Sequence, residues 1–174
     1  MKDDWTTATI SSPIDADLFV QLKAIEPSRD GEMEYYPCQV ILSDGQMIDH
    51  VYVVPDQPYY HDWGIWPKDD KGKQEIDIRN VVLISESPSR LPIDIANELY
   101  RAGESGMGYC VFTLEFKDGT RQAYVTGNAV DFIPMPKGQD LGDIVRVMPH
   151  QGRGDENQLH GYKYLWCLFN GVKA

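Results

Sequence analysis

The groups able to do chemistry in this 174-residue chain are four histidines, three cysteines and 27 acidic side chains. A helical zinc site needs two imidazoles four residues apart on one face. His50, His61, His150 and His160 offer no such pair, and no two cysteines have C-x-x-C spacing, so neither metal nor cofactor is expected. A thiolate nucleophile needs an exposed, electropositive setting. Cys38, Cys110 and Cys167 each stand in an apolar run and are expected as buried free thiols. Met1-Lys2-Asp3-Asp4-Trp5 lacks the basic-then-apolar order of a signal peptide. Together with free thiols, that points to the reducing cytoplasm. With so many carboxylates, acid–base pairs arise by chance and identify nothing.

Gly103-Glu104-Ser105-Gly106-Met107-Gly108 opens like a G-x-S-x-G nucleophile elbow. Met107 takes the fifth position, and the motif follows a helix pattern where an elbow follows a strand. It also lacks the lysine of a phosphate loop. The segment reads as a helix stop and hinge. Arg153-Gly154-Asp155 reads as a solvated turn.

Residues 59–66 stand out. They carry Tyr59, Tyr60, His61, Asp62, Trp63, Ile65 and Trp66, so two of the four tryptophans fall within four positions. The segment reads as a loop after Pro55. Loops run over the surface and are usually polar, so an aromatic one either folds back over a sheet end or makes a contact. Contact is expected, because Tyr and Trp supply large contact area at low entropy cost. Asp56, Asp62, Asp69 and Asp70 would form an acidic rim. The candidate binding residues are Tyr59, Tyr60, His61, Asp62, Trp63 and Trp66.

Sixteen Lys and Arg against 27 Asp and Glu give a net charge of −11. Such a chain is repelled by phosphate backbones and anionic lipid, and no apolar run approaches the ~20 residues of a membrane helix. The expected partner is therefore a basic protein, with no nucleic acid and no membrane. The expected function is a non-catalytic acidic protein-binding module. Its concrete form is an intracellular inhibitor or immunity-type protein that neutralises a basic partner enzyme. One alternative is a small enzyme or ligand binder built around His61, which would bring a second titratable group to that histidine in a cleft. Another is an assembly subunit pairing through the aromatic strand at 162–168. The oligomeric state is left open.

The elements that must position these residues are mostly strands, and the fold class expected is α+β, mainly antiparallel β. Ile14, Ala16, Leu18, Val20, Leu22 and Ala24 alternate, which predicts a strand at about 17–26, after a loose polar lead-in over 1–13. Tyr36 to Leu42 and Met47 to Val54 flank Asp44-Gly45 as a hairpin. Ile76 to Ile84 continues as a strand. Pro92 and Gly103 bracket one central helix at about 92–102. Cys110 to Phe116, Ala123 to Val125, 130–133, 144–148 and 162–168 read as further strands, with a second hairpin turn at Asp118-Gly119. A shift of 74 residues carries Asp44-Gly45 onto Asp118-Gly119 and superposes both hairpins. One compact domain is expected, with an internal duplication of 14–90 and 104–174 as two small barrel-like halves joined by the helix.

Overall fold

The computed structural model describes residues 11–174, so part of the expected polar lead-in, residues 1–10, lies outside the described residues. The first half runs β1 (Ile14–Asp15), α1 (Ala16–Lys23), β2 (Ser28–Asp30), β3 (Met33–Leu42), β4 (Met47–Pro55), α2 (Asp56–Trp63), β5 (Gln74–Glu75) and β6 (Val81–Glu86). The second runs α3 (Ile93–Ala102), β7 (Cys110–Phe116), β8 (Arg121–Thr126), β9 (Ile144–Pro149), β10 (Leu159–His160), β11 (Leu165–Phe169) and β12 (Val172–Lys173). The class is α+β with mainly antiparallel sheets. Both larger sheets are open, with strand orders β2-β3-β4-β11-β5 (β6 also pairing β3) and β10-β8-β7-β9, so neither half closes into a barrel.

Period-two alternation divides the side chains of the larger sheet between two cores. Tyr35, Tyr52, Val54, Trp166 and Leu168 face a core shared with α3, β7, β8 and β9. Tyr36, Cys38, Val51, Val53, Cys167 and Phe169 face a second core closed by Leu18 and Leu22 of α1. Pro37 sits inside β3 without breaking it. β2 pairs residues 33–35 and β6 pairs 38–42 on one side of β3, so the missing N–H falls in the gap between those partners. His50 is the extra residue of a bulge where the β3–β4 register shifts, and it has φ 60°.

The hairpins at 44–45 and 118–119 close with matching backbone bonds, Leu42 N–H to the Gln46 carbonyl and Phe116 N–H to that of Thr120, both 2.9 Å. In each half a central strand, β3 or β7, is flanked by its hairpin partner and by a later antiparallel strand. In the second half that later strand is β9.

Several local expectations are corrected, among them the strand from Ile76 to Ile84, which begins only at Val81 after a 3-10 turn at Ile78–Asn80. The strand at 17–26 is the helix α1. Ile14, Leu18, Leu22 and Ile25 are buried at spacings of three and four, while Val20 is 69% exposed. Ala16 and Ala24 lie on the exposed face, so the alternation was coincidental with a helical stripe. The loop after Pro55 is the helix α2. Pro58 falls in its first turn, where no intrahelical donor is needed, and Gly64 ends it at φ 74° with its N–H on the Tyr60 carbonyl. The Pro and Gly that suggested a loop are helix punctuation. The helix at 92–102 is present as α3, one of three α-helices among the described residues.

Residues 130–133 make only an isolated bridge, Phe132 to Arg90, and no strand: the N–H groups of 130 and 131 go to side chains, while the Asp131 and Phe132 carbonyls accept from the Leu91 and Tyr162 N–H groups. The Tyr52 hydroxyl accepts the Asp131 N–H (3.1 Å) and donates to Asp131 Oδ2 (3.1 Å). The Tyr100 hydroxyl accepts the Val130 N–H (3.1 Å) and donates to the same carboxylate oxygen. Ser28 Oγ donates to Asp131 Oδ1 at 2.6 Å and accepts from Arg90 Nη2 at 3.0 Å. Asp131 is fully buried, and burial pushes its carboxyl above the usual range, outweighing the lowering by Ser28, Tyr100, Arg90 and Tyr52.

Candidate functional site

The residues expected to act together at 59–66 are separated by the helical period. Tyr59 is fully buried, and its ring stacks on Trp63 with 5.7 Å between centroids and meets Trp166 edge-on at 4.7 Å. One side of α2 therefore caps the shared core. Tyr60, His61 and Asp62 are exposed, and Tyr60 packs on Trp66 at 4.5 Å. Trp66 lies toward a different depression, lined by Glu75, Asp77 and Arg79. Asp56 is buried, accepting from Ser11 N–H and Asn170 Nδ2, so it forms no rim.

Trp63 is the hinge between core and surface. Its Nε1 donates to the Tyr35 hydroxyl at 3.0 Å, and that hydroxyl donates to Asp62 Oδ2 at 3.3 Å. Lys73 Nζ lies 3.9 Å from the centroid of its indole. Trp63 and Asp62 form one wall of a cleft of about 290 Å³. β2 and β3 contribute Asp30 and Tyr35, α3 contributes Tyr100, and the turn after α3 contributes Glu104. Cys110 and Asn128 complete the floor.

The electrostatics of the cleft are one-sided. Asp30, Asp62 and Glu104 form no ion pair with a described residue. Glu104 Oε2 accepts only neutral donors, the Gly108 N–H at 3.0 Å and Asn128 Nδ2 at 3.1 Å. Burial, then the Asp62 charge, raises the Asp30 carboxyl. Burial, then Asp62, raises the Tyr35 phenol, and burial with Glu104 pushes the Cys110 thiol up to about 11. Carboxylates gathered in a cleft without an ion pair attract a cation. The same environment keeps Cys110 a thiol, and Cys38 and Cys167 are likewise buried and free.

His61 is not among the residues lining this cleft. Among the described residues no group of three or more His, Cys, Asp and Glu side chains is placed to hold a metal ion. No helix of the described residues is long and apolar enough to cross a membrane. Sequence reasoning selected Asp62 and Trp63 but missed Asp30, Tyr35, Tyr100 and Glu104. Each comes from a different element, and only the fold brings them together. No known protein family, curated protein or solved structure matches the chain.

Proposed function

We propose that this chain is an acidic protein-binding module that docks a basic side chain of a partner protein in the cleft at Trp63. The observation that carries the reading is the lining itself, three carboxylates in no ion pair with a described residue, gathered beside Trp63, Tyr35 and Tyr100. A guanidinium entering there gains charge-assisted hydrogen bonds to the carboxylates. The net charge of −11 steers a basic partner toward the molecule before contact. In its concrete form the partner is a basic enzyme and the module its inhibitor, working in the reducing cytoplasm where three buried free thiols persist.

The test uses an arginine-rich hexapeptide titrated calorimetrically into the full chain. Binding is expected to weaken at least tenfold in the Asp62→Asn/Glu104→Gln double variant. The exposed control pair Asp155→Asn/Glu156→Gln, which removes the same charge elsewhere, should bind as the parent does. Equal weakening in both variants would reduce the effect to net charge and overturn the cleft as the docking site.

A further inference from the structure

The turn after α3 carries a second constellation, built from groups 45 residues apart. His150 Nε2 lies 3.1 Å from the Ala102 carbonyl oxygen. A carbonyl only accepts, so in the neutral ring Nε2 bears the proton and Nδ1 presents its lone pair. Nδ1 is 2.7 Å from Ser105 Oγ. The competing acceptor for the serine proton, the Val111 carbonyl, is farther away at 3.2 Å. Ser105 Oγ also accepts the Val111 N–H at 2.8 Å, a donor that supports negative charge developing on that oxygen.

Both turns are clamped in place. Arg153 joins them, with Nη1 on the Tyr109 hydroxyl at 2.5 Å and Nη2 on the Ser105 carbonyl at 2.7 Å. The Tyr109 ring covers Gly106 so closely that a Cβ there would lie 2.3 Å from it. His150 has φ 65°, a left-handed backbone that costs free energy in a non-glycine residue, and its own N–H is held by the Val111 carbonyl at 2.7 Å. Ser105 is half-buried and His150 exposed, so solvent reaches the pair. This is the orientation a serine–histidine pair needs for acyl transfer, with a backbone carbonyl fixing the tautomer.

We propose that Ser105 is a nucleophile toward carboxylic esters, with His150 as its general base. Oγ bonds to the ester carbonyl carbon as its proton passes to His150 Nδ1. The C–O bond to the alcohol then breaks, and the leaving oxygen takes that proton from the imidazolium. Water attacks the resulting acyl-serine with His150 again as base, which releases the acid and restores the hydroxyl. The Arg153 guanidinium is the positive charge beside the reacting pair. Neither Ser105 nor His150 lines the cation cleft.

The full chain is treated with a fluorophosphonate probe, which loses fluoride as its phosphorus bonds to an activated serine oxygen, and the adduct is located by peptide mass spectrometry. Labelling at Ser105 is expected to be at least tenfold faster than in the chain unfolded in urea, a comparison that requires no variant. His150→Asn, chosen because Asn tolerates positive φ, is expected to slow it about a hundredfold, the low end of a general base's contribution. Labelling no faster than in the unfolded chain, or slowed less than about tenfold by the folded variant, overturns the assignment.

Discussion

Replacing Asp131 isolates what the buried hub contributes. In Asp131→Ala the hydroxyls of Ser28, Tyr52 and Tyr100 lose their common acceptor inside the core. Each stranded buried polar group costs about 1–3 kcal/mol, although the tyrosine hydroxyls still accept the backbone N–H groups of residues 130 and 131. The expected loss is about 3–5 kcal/mol, a large part of the roughly 5–15 kcal/mol that folds a domain. Asp131→Asn keeps one acceptor oxygen and removes the buried charge, so its loss should be about 1–2 kcal/mol. Urea unfolding followed by tryptophan fluorescence reads both values. The pH dependence separates charge from shape. Burial raises the folded carboxyl above its unfolded value of about 3.9, so the folded state holds this proton more tightly. The stability contributed by the group is fully present below that unfolded value and is lost as pH rises through the raised folded value. Relative to Asp131→Asn, the parent should therefore lose stability as pH rises across that window. A parent that gains stability there would mean the carboxylate is stabilised by its donors and Arg90, and the reasoning from burial would be wrong.

Two other expectations concern local structure. Leu18→Ala should cost about 2–5 kcal/mol, as a buried leucine does, while Val20→Ala should change stability by less than about 0.5 kcal/mol. Equal losses at both positions in urea melts would contradict the helical face of α1. The three thiols, all buried and with raised values, should react with a disulfide reagent at neutral pH far more slowly than in urea, and Cys110, the least enclosed of them, should react first.

What could be read from the sequence was what is local. Asp44-Gly45 and Asp118-Gly119 announce their hairpins because the turn chemistry and the flanking alternation agree. α3 is legible because Pro92, a helical stripe and Gly103 all point the same way. α1 is masked because Val20 and two exposed alanines imitate a strand period. α2 is masked because Pro58 and Gly64 punctuate helix ends as readily as loops. The cleft could not be seen at all: Asp30, Asp62 and Glu104 are ordinary acidic residues until β2, α2 and the turn after α3 meet. The irregular course of 130–133 depends on tyrosines at 52 and 100, which no local pattern connects to it.

β11 has a consequence for how the molecule comes apart. It runs parallel to β4, with Leu165 opposite Val51 and Phe169 opposite Pro55. Its alternate side chains enter both cores, Trp166 and Leu168 one, Cys167 and Phe169 the other. Pairing strands so far apart in sequence requires a large loop closure before any contact rewards it, so this strand docks slowly. Once docked, it ties the fate of the two cores together. Fraying of this one strand exposes both at once, which leaves little room for a half-folded species with one core intact. Hydrogen exchange across β4, β7 and α1 should consequently report a single opening event.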